Sequence, residues 1–310
     1  MRSFLLTALL ALPCTAYDLT GHVEPAGTVA ISLHGALAPL EKSTVSAGDG
    51  YFSFSKIPAG TYTLVVSTQA RGEMVQTVEV SAGTVDSKGR IDLLLQVNGA
   101  TLESEDGRGT GAIVSATMLS IPDRATKEFE QAQQCLAHSD GACASSHLQK
   151  AVEIAPRYVT AWNQLGTLAY QAHAYSDAEA DFRKALEFDA GAFEPLVNLG
   201  GVLLNLERPR EALGYNQQAA SRRPNDALAN SQLGMNYFAI GEIDAAEKCL
   251  KAALRLDPAH FSYPQLTLAE IFLKRNDRAG ALDQYRDFLK RHPDSPQAAE
   301  VKAKVKRLSQ

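Results

Sequence analysis

Between residues 125 and 295 the apolar positions recur with the spacing of amphipathic helices, and the whole pattern returns about every 34 residues. In the second copy, Trp162 and Leu165 lie on the apolar stripe of one helix, and Ala178 and Phe182 lie on that of the next. A single helix cannot bury such a stripe alone. The pattern therefore predicts antiparallel helix pairs that stack on one another and share a core.

Small residues fix the register of these pairs. Two rows read Ala132, Gly166, Gly200, Gly234, Ala269 and Ala144, Ala178, Ala212, Ala246, Ala281; a third reads Ala151, Ala185, Ala219, Ala253, Phe288; a fourth reads Pro156, Ala190, Pro224, Pro258, Pro293. Small side chains allow two helices to approach closely, and proline ends a helix. The rows predict five helical hairpins, at 125-158, 159-192, 193-226, 227-260 and 262-295.

One copy carries a near-complete family pattern. Its residues are Trp162, Leu165, Gly166, Tyr170, Ala178, Phe182 and Ala185, and together they resemble the tetratricopeptide signature. The resemblance implies an all-α solenoid in which the first helix of each unit lines a concave groove. The first and last copies depart from the pattern, with Glu128 and Gln265 in the position of Trp162, as is typical of terminal repeats that cap an array.

The same resemblance places three rows of side chains in the groove. The rows are Phe129, Asn163, Val197, Ser231, Leu266; Gln133, Thr167, Gly201, Met235, Glu270; and Leu136, Tyr170, Leu204, Phe238, Leu273. All of them except Gln133, Gly201 and Leu136 are candidate binding residues. The last row is apolar throughout, so it is either an exposed strip for a peptide or a strip half-buried between helices. The rows contain no Lys or Arg, which argues against a clamp for a peptide carboxylate.

From Tyr17 to about Val97 the period changes to strict alternation of apolar and polar residues. The alternating runs are Val29 to Leu33, Tyr51 to Phe54, Tyr62 to Val66, Met74 to Val80 and Ile91 to Val97, and glycine-containing turns separate them. Short strands rich in Val, Thr, Tyr and Phe at this spacing predict an antiparallel β-sandwich over residues 17-97. The chain is thus predicted to be multidomain, with an immunoglobulin- or transthyretin-like sandwich before the solenoid.

Three segments of this region resemble the carboxypeptidase regulatory-like domain, which has a transthyretin-like fold. They are Gly21 to Val23, Ser46 to Phe54 and Ile57 to Leu64. In that family the module is non-catalytic and accompanies exported or membrane-associated domains. The resemblance therefore implies an accessory role for the sandwich.

The first sixteen residues have the layout of a secretory signal peptide. Arg2 is followed by an apolar run from Phe4 to Leu12 and by small residues up to Ala16. The apolar run is about half as long as a transmembrane helix requires. We predict cleavage before Tyr17 and a periplasmic or extracellular protein; lipidation at Cys14 is the weaker alternative, because Pro13 occupies a position where the lipid-attachment pattern has a small residue.

Two further segments flank the repeats. Residues 98-124 have the composition of a linker, and Ile113 to Leu119 is apolar enough for an extra strand. At the other end, 296-310 predicts a helix with Val301 and Val305 on one face and basic residues largely off it. We interpret this helix as a cap on the last repeat, the alternative being a basic amphipathic patch for anionic membranes.

Charge and motifs exclude several functions. The 310 residues include 30 Lys and Arg against 35 Asp and Glu, a net charge of −5, which favours no nucleic-acid partner. Zinc-hydrolase, nucleophile-elbow, phosphate-loop and Cys-x-x-Cys motifs are all missing from the sequence. We therefore predict no catalysis, no cofactor and no metal.

Four residues of the first repeat leave two interpretations open. Cys135, His138, Cys143 and His147 are of the types that bind tetrahedral zinc, although their spacing matches no known zinc pattern. A disulfide between Cys135 and Cys143 is favoured, since export places the chain in an oxidising compartment and a hairpin brings the two helix ends together. Cys249 is interpreted as a packed thiol.

These features predict a non-catalytic scaffold of a bacterial-type cell envelope, which holds a partner protein or peptide in the groove of the repeats. The alternative is a carbohydrate-binding accessory protein in which the sandwich engages a polysaccharide. Sugar platforms need coplanar Trp or Tyr side chains, and the sandwich offers only Tyr51 and Tyr62 and no Trp, which favours the scaffold. Neither prediction requires membrane association, and the sequence does not specify an oligomeric state.

Overall fold

The structure is a computed structural model that describes residues 16–68, 72–97 and 121–310. A strand-rich region, residues 16–97, precedes a helical region, residues 121–310. We call them the β-domain and the repeat array. The predicted signal peptide up to residue 15, and the linker with its extra strand from 98 to 120, lie outside the described residues.

The β-domain contains seven strands within its described residues. They are β1 (Ala16–Glu24), β2 (Ala30–Gly35), β3 (Glu41–Val45), β4 (Tyr51–Pro58), β5 (Gly60–Thr68), β6 (Gly72–Val80) and β7 (Arg90–Gln96). One sheet has the order β4-β1-β7 and the other the order β3-β2-β5-β6. Leu19, Phe52 and Leu95 from the first sheet share a single buried core with Leu33 and Leu64 from the second, so the two sheets pack face to face.

Two details of the β-domain bear on the sequence predictions. The prediction of a purely antiparallel sandwich is wrong, because β1 pairs with β7 in parallel, with Leu19 opposite Ile91, while its pairing with β4 is antiparallel. Of the two tyrosines that the sandwich offers for sugar stacking, only one is on the surface. Tyr51 is exposed, but Tyr62 is only 2% exposed and its hydroxyl donates to the carbonyl oxygen of Pro58 at 2.7 Å, so it belongs to the core.

Residues 121–310 form eleven helices. They are α1 (Asp123–Ala137), α2 (Gly141–Ile154), α3 (Val159–Gln171), α4 (Tyr175–Phe188), α5 (Phe193–Asn205), α6 (Pro209–Arg222), α7 (Ala227–Ile240), α8 (Ile243–Leu256), α9 (Pro264–Lys274), α10 (Arg278–Arg291) and α11 (Ala298–Leu308). Among the residues described, none of these helices combines the length and the hydrophobicity needed to cross a bilayer.

Close helix contacts explain the rows of small residues. A Cβ atom added to Gly166 would lie 2.6 Å from Cε1 of Phe182, and one added to Gly234 would lie 2.7 Å from Cγ of Leu250. The alanines facing them from the second helices, such as Ala178 and Ala246, are fully buried. In the second and fourth hairpins a large side chain of the second helix therefore packs directly on the backbone of the first helix.

The turn inside each hairpin repeats one backbone conformation. A left-handed residue stands at the same place in all five units, at Ser139, His173, Glu207, Gly241 and Asn276. Only the fourth unit uses glycine there, with φ of 89°. At the end of the array, α11 packs against α10 and buries Ala298 and Val301.

Candidate binding groove

The first helices of the hairpins lie on the inner side of the stack. Each first helix contacts the second helix of its own hairpin. In addition, α3 contacts α5, α5 contacts α7, and α7 contacts α9. In a curved solenoid the inner helices lie closest to one another, so these contacts place the first helices on the concave side. We call the inward surface of α1, α3, α5, α7 and α9 the groove.

The apolar row of the groove is only partly open to solvent. Leu136 is buried, and Tyr170, Leu204, Phe238 and Leu273 are half-buried. These half-buried side chains pack at the margin of the hydrophobic clusters of their own repeats. Burial raises the pKa of the Tyr170 hydroxyl, which accepts a hydrogen bond from Nδ2 of Asn205 at 3.2 Å. The row therefore presents edges of side chains along the groove, and no fully exposed strip.

The row that begins at Phe129 divides into two groups. Half-buried members are Phe129, Asn163 and Leu266. In contrast, Val197 is 3% exposed and Ser231 is fully buried, its Oγ lying 2.6 Å from Oγ of Ser262. Placing these two side chains on the binding surface was wrong, because the adjacent repeats close over them.

The middle row is the more accessible one. Thr167 and Met235 are half-buried and Glu270 is exposed. The Thr167 hydroxyl donates to the carbonyl oxygen of Asn163 at 2.9 Å, within the same helix. Near the end of the array, Glu270 lines a cavity of about 340 Å³ together with Tyr285 and Lys304.

A row of amide side chains escaped the sequence analysis. Gln164, Asn198 and Gln232 occupy one position in α3, α5 and α7, at the same spacing as the other rows, and we call them the amide row. Nδ2 of Asn198 donates to Oδ1 of Asn163 at 3.1 Å, so the row is linked to a predicted groove residue. The repeat spacing was the signal that could have found it.

Several amide oxygens in the groove are buried without a hydrogen-bond donor. Among the described residues these are Oε1 of Gln164, Gln171 and Gln232. A buried acceptor without a donor is costly, by about 1 to 3 kcal/mol. In this conformation the three oxygens are closed to solvent and accept no hydrogen bond from the described residues.

The β-domain contacts the groove at α3. Nε2 of Gln164 donates to Oε2 of Glu41, and Nε2 of Gln171 donates to the carbonyl oxygen of Gly35, both at 2.9 Å. A cleft of about 590 Å³ separates β3 and β4 from α1, with Gln133 in its lining. The N-terminal end of the groove is thus shared between the two regions.

The β-domain also contacts the turns at the far end of the array. Oδ2 of Asp257, in the turn between α8 and α9, accepts the backbone N–H of Thr77 at 3.0 Å. After α10, Nδ1 of His292 lies 3.3 Å from Oε2 of Glu79. In the same turn, Oδ2 of Asp294 accepts from the Ser81 hydroxyl at 2.6 Å and from the Gly83 N–H at 3.2 Å.

The cysteine cluster of the first repeat contains a disulfide in this structure. It joins Cys135 to Cys143, whose Cα atoms are 5.7 Å apart. His147 lies beside the pair, and its Nδ1 is 2.7 Å from Oε2 of Glu128, a contact that holds the pKa of Glu128 below its usual range. His138 instead bonds through Nδ1 to the carbonyl oxygen of Gln134. Bonded cysteines offer no thiolates, so this form of the cluster does not fit zinc.

Cys249, on α8, is half-buried, and burial raises the pKa of its thiol.

Comparison with known proteins agrees with the helical architecture. Residues 227–260 and 266–305 each match a family model described as tetratricopeptide repeat. The chain therefore carries tetratricopeptide repeats, which are protein-interaction modules.

Two curated relatives are similar to part of this chain in sequence. The chain is 29% identical over 157 residues to the protein O-mannosyl-transferase Tmtc3 of Drosophila melanogaster, a match that covers 47% of this chain and 17% of that protein. It is 24% identical over 200 residues to the cellulose synthase 1 operon protein C of Komagataeibacter xylinus, covering 61% and 15%. The chain thus spans less than a fifth of the length of these curated relatives.

A solved structure matches most of the repeat array. It is PilW, described as a widely conserved type IV pilus biogenesis factor, with a TM-score of 0.53 and 21% identity over 60% of this chain and 86% of that chain. At this identity the likeness concerns the fold alone.

Proposed function

We propose that this chain is an exported, non-catalytic scaffold that holds an extended peptide segment of a partner protein in its groove. The observation that carries the proposal is the amide row beside the apolar row. Amide side chains donate and accept at once, as a peptide backbone does. The buried oxygens of Gln164 and Gln232 require donors, and the N–H groups of an extended peptide would supply them at intervals along the array.

The chemistry of the groove also indicates the kind of peptide. Tyr170, Leu204 and Phe238 present apolar edges next to the amides, while basic side chains are missing from all three predicted rows. An apolar, weakly charged segment fits this lining better than an acidic one. The β-domain serves as the accessory module, and we assign it to the carboxypeptidase regulatory-like family on the sequence resemblance and on its two packed sheets.

The test is a selection of binding peptides from a displayed library of random sequences, followed by affinity measurements with the full chain. The double variant Asn198→Ala with Gln232→Ala is expected to lose about tenfold in affinity, since two hydrogen bonds are removed. The matched control is Gln149→Ala with Gln218→Ala, which removes two exposed side chains from the second helices α2 and α6. Equal affinity of both double variants would reject the groove as the binding site.

Export is tested separately. N-terminal sequencing of the protein secreted from a bacterial host is expected to give Tyr17 as the first residue. A chain that keeps Met1, or one with a lipid on Cys14, would contradict this part of the proposal and leave the groove unaffected.

A further inference from the structure

We infer that the β-domain is a built-in occupant of the groove, which a peptide must displace in order to bind. This inference rests on the groove function proposed above and adds its regulation. Three observations carry it: the contacts at α3, the contacts at the far turns, and the positions of the strands that make them.

At α3 the β-domain uses the amides that a peptide would need. Gln164 and Gln171 are seven residues apart and lie on one face of the helix. Both donate their Nε2 to the β-domain, to the Glu41 carboxylate and to the Gly35 carbonyl oxygen. Pro39 lies close as well, since a Cβ added to Gly141 at the start of α2 would be 3.0 Å from its Cγ. A peptide carbonyl group that accepts from Nε2 of Gln164 or of Gln171 therefore competes with the β-domain for the same N–H group.

At the far end the contact is sealed from solvent. Met74, Val78 and Val80 of β6 point into the core, so Thr77 and Glu79 lie on the outer face of the sheet. Thr77 is nevertheless only 5% exposed, Asp257 is 4% exposed and His292 is 1% exposed. An outward-facing threonine this well buried requires a cover, and the turns of the array provide it.

The strands involved are the two edges of one sheet. In the order β3-β2-β5-β6, Glu41 belongs to β3, while Thr77 and Glu79 belong to β6. The sheet therefore reaches from the second hairpin at one edge to the turns of the fourth and fifth hairpins at the other. In the order of the array, α5 and α7 lie between α3 and these far turns, and they carry the other two members of the amide row, Asn198 and Gln232.

This arrangement links peptide binding to release of the β-domain. The apparent dissociation constant of a ligand rises in inverse proportion to the fraction of molecules whose site is open. Substitutions on the β-domain side of the docking contacts leave every groove residue unchanged. They are expected to raise the fraction of molecules whose groove is open. Such variants are expected to bind peptide more tightly than the wild type.

The experiment compares the full-length wild type with Glu41→Ala combined with Glu79→Ala, using a labelled peptide from the library selection. The matched control is Glu24→Ala combined with Glu73→Ala, which changes two exposed carboxylates at other positions of the same domain. The docking variant is expected to bind about fivefold more tightly. Its Thr77 amide, protected through Asp257, is expected to exchange with solvent deuterium faster than in the wild type or the control.

Each outcome has a separate meaning. Faster exchange at Thr77 without tighter peptide binding would overturn the inference and leave the groove function standing. Fast exchange at Thr77 already in the wild type would overturn the docking itself. If no peptide binds to any of the three proteins, the proposed groove function fails, and the exchange data still decide whether the β-domain is docked.

Discussion

The ring of Phe182 packs directly on the backbone of Gly166, with no room for a β-carbon between them. A methyl group added there would meet Cε1 of the ring at 2.6 Å. This contact joins α3 to α4, and Gly234 makes the equivalent contact with Leu250 between α7 and α8.

Substitution of this glycine tests the packing. Gly166→Ala is expected to destabilise the array by about 1 to 3 kcal/mol, because the ring of Phe182 must move within a packed core. The control is Gly214→Ala on α6, where nothing lies within 4 Å of the added atom and the gain in helix propensity stabilises by up to about 1 kcal/mol. Urea unfolding measures both. Two variants of equal stability would show that the Gly166 position is not tightly packed.

The hairpin turns allow a second comparison. Gly241 has a positive φ of 89°, so Gly241→Ala is expected to cost about 1 to 2 kcal/mol, although the added atom meets nothing. At the equivalent turn Glu207 also has a positive φ, and Glu207→Gly removes the strain of that conformation. Glycine also makes the unfolded chain more flexible, so the two effects oppose each other and the net change in stability is expected to be less than about 1 kcal/mol. Thermal unfolding of both variants checks the pair. A neutral Gly241→Ala would mean that the turn adapts.

The disulfide predicts a stability difference in the first repeat. Cys135 and Cys143 are separated by 8 residues, and closing so short a loop is worth about 2.5 kcal/mol in the chain-entropy model. Cys135→Ser combined with Cys143→Ser is expected to lose about this amount. Peptide mapping of the exported protein without reductant is expected to find the two cysteines linked. Recovery of both as free thiols would contradict the prediction.

Stability is expected to fall in mild acid through His260. This side chain is 3% exposed, and burial lowers the pKa of its imidazole to about 4, with Asp257 opposing the shift and His292 adding to it. In the unfolded chain a histidine titrates near 6.5. The unfolded state therefore binds the proton first, and up to about 3 kcal/mol of stability is lost as the pH falls from about 6.5 to 4.

Urea unfolding at a series of pH values measures this effect. His260→Gln removes the titrating group, so its stability is expected to fall less over that interval than that of the wild type. Parallel pH profiles of the two proteins would assign the acid sensitivity to other groups.

Local sequence patterns were sufficient to predict most helices and strands, but not which of them pair with one another. The repeat of small residues predicts helical hairpins because a small residue on one helix makes room for a side chain of the next, as Gly166 does for Phe182. Alternation found five of the described strands and missed β1, Ala16–Glu24, and β3, Glu41–Val45. β3 is an edge strand of polar residues, which buries too little to show a pattern. The parallel pairing of β1 with β7 depends on residues far apart in the chain and leaves no local signal.

The groove was predicted less completely for a similar reason. The repeat spacing places Ser231 in a groove row, but contact with Ser262 of the next repeat buries it. The amide row has the same spacing of 34 residues, so the repeat pattern could have predicted it as well. The contact between Gln164 and Glu41, which are 123 residues apart, could not be found from either sequence pattern alone.

The hydrogen bond from Thr77 to Asp257 also has a consequence for solubility. β6 is an edge strand, and the outward N–H groups of such a strand can pair with the edge of another molecule and start aggregation. In this protein a carboxylate of the array occupies that edge, next to the exposed side chain of Val75. Residues 16–97 produced without the array would leave this edge uncovered. The repeats therefore have a second role beside partner binding, which is to keep the β-domain from associating with other copies of itself.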